Sequence, residues 1–85
     1  MNADDIQATI LNAIDTVAPG SLVGDLDANA DLRDALDLDS MDILNVMTAL
    51  QERLQVEIPE VDQPHVMTLN SAVAYLAHKL GVGPG

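Results

Sequence analysis

Ser40 has the clearest chemical prospect in the chain. It stands in Asp39-Ser40-Met41-Asp42, at the head of an apolar pattern with helical spacing. A hydroxyl at the mouth of a helix faces solvent and lies beside the unpaired N–H groups of the first turn. A phosphate ester formed on it would meet those donors. The carboxylates of Asp39 and Asp42 would repel a bare phosphate. They would suit Mg²⁺ brought by an enzyme that transfers a phosphoryl-linked group. The same residues admit a purely local reading, in which Asp39 or Ser40 only caps the helix by accepting backbone N–H bonds.

Two other constellations fail on their chemistry. Asp25-Leu26-Asp27-Ala28-Asn29-Ala30-Asp31 places oxygens at positions 1, 3, 5 and 7 of a calcium loop. The sharp turn at position 6 needs Gly, but Ala30 is there; position 12 needs Glu, but Leu36 is there. The stretch reads as a solvated acidic loop, and no metal site is assigned. A hydrolase triad of Ser40 with His65 or His78 lacks the G-x-S-x-G turn, and flanking carboxylates raise a hydroxyl's pKa instead of lowering it. His78 is more simply a partner for a helix C-terminus, and His65 a loop residue. The chain is not read as an enzyme.

The elements that would hold Ser40 are helical. Ile6, Ile10, Ile14 and Val17 form one stripe, giving a helix over 3–17 with Asn2 as cap and Pro19-Gly20 as stop. Residues 18–38 have no sustained period and form a long acidic connection, pinned by Leu22, Leu26, Leu32 and Leu36, with a short helical turn around Asp31–Ala35. A second helix covers 40–54, with Ile43, Val46, Met47, Leu50 and Leu54 inward and Met41 and Leu44 partly off that stripe. Val56-Glu57-Ile58 is extended before Pro59, and Glu60–Gln63 can form a single turn that Pro64 limits. Leu69, Ala72, Val73, Leu76, Ala77 and Leu80 define a last helix over 69–80, capped by Thr68 and Gly81. The fold class is therefore all-α: a small three-to-four-helix bundle over residues 1–80, with a long acidic loop between the first two main helices and a flexible tail over 81–85.

Composition narrows the function. The 85 residues carry 3 Lys plus Arg against 14 Asp plus Glu, a net charge of -11. Nucleic-acid backbones and anionic membranes are excluded as partners, and surfaces rich in Lys and Arg are favoured. With no Cys there is no disulfide framework, and with no Trp or Phe the core is aliphatic. No segment has the length of a membrane span or the basic start of a secretory signal, so a cytoplasmic monomer is expected.

Leu36-Asp37-Leu38-Asp39-Ser40-Met41-Asp42 resembles the attachment motif of acyl carrier proteins, usually written Gly-x-Asp-Ser-Leu. Val56-Glu57-Ile58-Pro59 resembles the segment that follows that family's second helix. Thr68-Leu69 with Ala72-Val73-Ala74-Tyr75-Leu76 resembles its last helix. The resemblance implies that a phosphopantetheinyl transferase attaches 4′-phosphopantetheine to Ser40 with Mg²⁺. The thiol of that arm then carries acyl groups between acyl-transferring and chain-elongating enzymes of a fatty-acid, polyketide or specialised lipid pathway. It further implies that Asp39 orients the transferase metal as well as capping the helix. Met41, Asp42, Leu44 and Asp37 would form the partner surface. Val46, Met47, Leu50, Ile58, Val61, Val66, Leu69 and Val73 would line the core and any acyl cavity.

Four positions depart from the family pattern. Asp37 replaces the usual Gly, Met41 replaces Leu, and Asn45 and Gln51 stand where carboxylates are common in the second helix. An aminoacyl or D-alanyl carrier is an alternative cargo class. On the residues alone, a helical adaptor without a prosthetic group and a protein phosphorylated on Ser40 also stay open.

Overall fold

Each main helix starts at a polar side chain that accepts the first free N–H groups of its turn. The computed structural model describes residues 1–22 and 26–82. Helix α1 spans Ala3–Val17. Its cap is reciprocal: the Asp5 N–H donates to Asn2 Oδ1 at 2.9 Å and the Asn2 N–H to Asp5 Oδ2 at 3.2 Å. Helix α2 is the short turn Leu32–Leu36, begun by Asp31, whose Oδ1 accepts the Arg33 N–H at 2.8 Å. Helix α3 spans Ser40–Leu54 and α4 spans Leu69–Leu80. Between them lies one 3₁₀ helix, η1, over Glu60–Val66. The fold is all-helical: the described residues form no strand.

Burial follows the apolar stripes. Ile6, Ile10 and Ile14 of α1, Ile43, Met47 and Leu50 of α3, and Leu69, Ala72 and Leu76 of α4 meet in one core. Helix α1 packs along both α3 and α4, whereas η1 leans on α4. Leu32 is buried, with Leu22, Leu26 and Leu36 packed more loosely around the core. These leucines hold the long connection down, as their spacing suggests. Hydrogen bonds add to this: the Leu32 N–H donates to the Met67 carbonyl at 2.8 Å, and Asn70 reaches both Ala28 and Asn29. No helix among the described residues is long and apolar enough to cross a membrane.

Two boundaries differ from the sequence reading. The turn at Glu60 runs on through Pro64 to Val66. Proline fixes φ near a value that 3₁₀ geometry already uses, so its ring costs only the one hydrogen bond it cannot donate. The other difference concerns the tail. Gly81 closes α4 in the left-handed region (φ 71°), and the Val82 N–H reaches back to the Ala77 carbonyl at 2.9 Å. Val82 packs against the core and so belongs to the bundle; residues 83–85 lie outside the described chain.

A cluster on α4 and η1 has no signal in the sequence. The Tyr75 hydroxyl donates to Asp62 Oδ2 at 2.6 Å. The Tyr75 ring stacks on His65 with centroids 5.5 Å apart, and Lys79 Nζ lies 5.4 Å from the same ring's centroid. Burial, the Asp62 hydrogen bond and the charge of that carboxylate push the Tyr75 phenol up to about 12. A raised phenol pKa stabilises the fold fully below the ordinary value near 10, and that contribution is lost as pH climbs towards 12. Tyr75 is the single tyrosine and Trp is absent, so tyrosinate absorbance reads it directly. A spectrophotometric titration is expected to show its midpoint near 12 in wild type and a lower one in Asp62→Ala; equal midpoints would show that Asp62 does not hold the phenol.

Candidate functional site

The linker from α2 to α3 sets the site. Helix α2 ends at Asp37, whose backbone is left-handed (φ 56°, ψ 42°) and whose N–H donates to the Arg33 carbonyl. This is the position where the resembling motif has Gly, and the backbone shows why Gly suits it. An L-residue in that region carries a steric penalty, smaller for Asp than for most. Replacing Asp37 with Gly removes the penalty but adds unfolded-state entropy, so stability is expected to rise by only about 0.5 kcal/mol. Asp37→Val is expected to lose more than about 1 kcal/mol, because a β-branched side chain tolerates positive φ worst. Urea unfolding of both variants checks this; a Val variant as stable as wild type would contradict it.

Leu38 follows as a buried anchor, and Asp39 then starts α3. The Asp42 N–H donates to Asp39 Oδ1 at 2.8 Å, and the Asp39 N–H to Asp42 Oδ2 at 3.3 Å. So Asp39, not Ser40, is the cap. Ser40 occupies the first helical position, where its side chain is exposed and makes no hydrogen bond to the described residues. The N–H groups of Ser40 and Met41 are the two first-turn donors that the capping box leaves over. A hydroxyl, two free N–H donors and solvent access therefore meet at one point. That geometry fits an oxygen bearing a phosphodiester.

Around it, Met41 is 64% exposed and Leu44 37% exposed. Asp37 is exposed and Asp42 half-buried, so the expected partner-facing residues lie in and just before the first turns of α3. One oxygen each of Asp39 and Asp42 is committed to backbone donors. The loop acids are similarly engaged: Asp27 Oδ1 accepts the Asn29 N–H at 2.9 Å. Asp31 accepts the Arg33 N–H and approaches the Arg33 Nε at 3.6 Å. Burial works to raise the Asp31 pKa, but those Arg33 contacts outweigh it and hold the carboxyl below its ordinary value. Asp25 lies outside the described residues. Among the described residues no group of three metal-ligating side chains converges.

Of the eight residues expected to line the core, Val46, Met47, Leu50, Ile58, Val66 and Leu69 are buried, and Val73 packs partly buried against them. Val61 does not belong with them: it is 82% exposed. With three residues per 3₁₀ turn, Val61 and Pro64 share the outer face of η1. Both line an open groove of about 420 Å³ with Arg33, Gln63 and Met67. The core itself encloses only about 10 Å³, bounded by Val46, Met47, Leu50 and Val66 with α1 and α4 residues. That is at the lower limit for one water molecule. Gln51, which the sequence marks only as a missing carboxylate, holds the turn after α3, where its Oε1 accepts the Ile58 N–H at 3.0 Å.

Comparison with known proteins bears on the family of the chain. Residues 8–76 match the family model described as a phosphopantetheine attachment site. An acyl carrier protein of Acidothermus cellulolyticus is 28% identical over 78 residues, covering 92% of each chain. An acyl carrier protein of Kineococcus radiotolerans is 32% identical over 54 residues, covering 64% of this chain and 67% of the relative.

Proposed function

Since the chain belongs to the acyl carrier protein family, whose members hold 4′-phosphopantetheine covalently on a serine, we propose that Ser40 is that serine. We propose further that the loaded protein carries acyl groups as thioesters between enzymes of a fatty-acid, polyketide or specialised lipid pathway. The observation that carries the assignment is the exposed Ser40 hydroxyl at the first position of α3, with the capping already done by Asp39. Because Ser40 is free of any capping duty, modifying its oxygen leaves the helix start intact.

The chain's own residues divide the work. Ser40 Oγ supplies the nucleophile and the point of attachment. It would bond to the pantetheine-bearing phosphorus of coenzyme A and give up its proton to the transferase, while the pyrophosphate bond breaks and adenosine 3′,5′-bisphosphate leaves. The N–H groups of Ser40 and Met41 face the phosphodiester that would form there. Asp39 holds the helix start and, with its second oxygen, can meet the Mg²⁺ that a transferase brings with coenzyme A. The arm supplies a thiol at its far end, and acyl groups ride on it as thioesters. Catalysis belongs to the partner enzymes: a phosphopantetheinyl transferase first, then acyl-transferring and chain-elongating enzymes. The interior void is too small for an acyl chain as it stands, so sequestration would require the helices around it to part. An aliphatic core with Met47 inside it and Met67 packed against it repacks at modest energetic cost. Incubation with coenzyme A, Mg²⁺ and a broad-specificity transferase tests the assignment by intact mass. Gain of one phosphopantetheine supports it, and an unchanged mass refutes it.

A further inference from the structure

The chain holds four methionines and no cysteine, so thioethers are its oxidisable sulfurs. The fold treats the four differently. Met47 is 4% exposed in the core, and Met67 packs partly buried against it. Met1 precedes the Asn2 cap and stands outside the helices. Met41 is 64% exposed at the second position of α3, one residue from the Ser40 hydroxyl. It is the solvent-facing sulfur that a helix holds in place. The attachment motif that this segment resembles has Leu there, a side chain of similar volume with no sulfur for peroxide to attack.

Building on the carrier reading, we propose that Met41 is a reversible oxidation site that governs the loading of Ser40. The oxidant is hydrogen peroxide. The thioether sulfur attacks one peroxide oxygen, and an S–O bond forms as the O–O bond breaks. Sulfur is oxidised to the sulfoxide and the peroxide is reduced. The proton on the transferred oxygen passes to the leaving oxygen, which departs as water. A sulfoxide reductase drawing on a dithiol reverses the step: the dithiol becomes a disulfide and the oxygen leaves as water. Burial decides which sulfur reacts, since the peroxide must reach the sulfur itself. Position decides what the reaction does. A transferase that reaches Ser40 Oγ must also cover the next residue along the chain, and covering strips water from it. For an apolar thioether this is favourable. A sulfoxide oxygen is a strong acceptor, and stripping it of water without supplying a donor costs free energy. The fold itself is indifferent, because Met41 lies outside the core and the capping bonds of α3 belong to Asp39 and Asp42. Oxidation of Met47 would do the opposite, placing a polar group in an aliphatic core.

The test treats the unloaded protein with hydrogen peroxide, removes the excess and maps the peptides by mass. Met41 is expected to gain one oxygen roughly tenfold faster than Met47 or Met67, with helical circular dichroism unchanged. Loading is then measured with coenzyme A, Mg²⁺ and a phosphopantetheinyl transferase. The kcat/KM of the oxidised protein is expected to fall roughly fivefold, and to recover after treatment with a dithiol and methionine sulfoxide reductases for both sulfoxide epimers. Met41→Leu keeps an apolar side chain and retains Met1, Met47 and Met67 as internal controls. It is expected to load equally well before and after peroxide. The proposal is overturned if Met47 or Met67 oxidises as fast as Met41, if oxidised wild type loads like the untreated protein, or if peroxide slows Met41→Leu as much as wild type. Each of those results leaves the carrier reading standing. If untreated wild type does not load at all, the carrier reading fails and the proposal falls with it.

Discussion

Leu76→Ala is expected to destabilise the protein by about 2–5 kcal/mol. Leu76 is fully buried on α4, in the one core that α1, α3 and α4 share. Truncation removes the transfer energy of three carbons and leaves a hole that the surrounding aliphatic side chains fill only in part. A domain of this length is stable by about 4–13 kcal/mol in total, from roughly 0.05–0.15 kcal/mol per residue. The loss is therefore a large share of the whole, and urea unfolding will show it as a fall in midpoint. Leu44→Ala serves as the comparison. Leu44 is 37% exposed and should change stability by less than about 1 kcal/mol. Should the two variants unfold at the same urea concentration, the assignment of inner and outer faces to α4 and α3 would be wrong.

The second large effect is on modification. Ser40→Ala is expected to abolish pantetheinylation while leaving the fold intact. Alanine is a good residue at an exposed first-turn position, and the cap bonds belong to Asp39 and Asp42. Stability should move by no more than about 0.5 kcal/mol, as for surface changes away from special features. Intact mass after incubation with coenzyme A, Mg²⁺ and transferase reads the first outcome, and circular dichroism reads the second. A variant that still gains the arm would place the attachment elsewhere. A variant that unfolds would show Ser40 to be a structural cap after all.

Much of this arrangement is legible in the residues. Periodic isoleucines and leucines locate α1, α3 and α4 because each buries one face and leaves the other in water. Asn2, Asp39 and Thr68 mark the starts because short oxygen-bearing side chains satisfy donors that no helix can satisfy itself. The strained conformation of Asp37 is foreseeable for a similar reason: the resembling motif keeps Gly there, and positive φ is what Gly permits.

What stays hidden depends on contacts between distant residues or on weak periodicity. Nothing in the spacing of Asp62 and Tyr75 announces their hydrogen bond, and the stack of Tyr75 on His65 depends on how η1 lies against α4. Val61 looks like core because it is β-branched and near Ile58. A 3₁₀ helix turns every three residues, and that puts Val61 outward with Pro64. The choice between Asp39 and Ser40 as cap also needs coordinates, since both residue types cap well.

The most direct check is to digest the wild-type protein after reaction with coenzyme A, Mg²⁺ and transferase, and to sequence the modified peptide by tandem mass spectrometry. A single phosphopantetheine is predicted on the peptide containing Asp39-Ser40-Met41, with fragment ions assigning it to Ser40. A bare Ser40, or an arm found on Ser21, Ser71 or any threonine instead, would contradict the assignment.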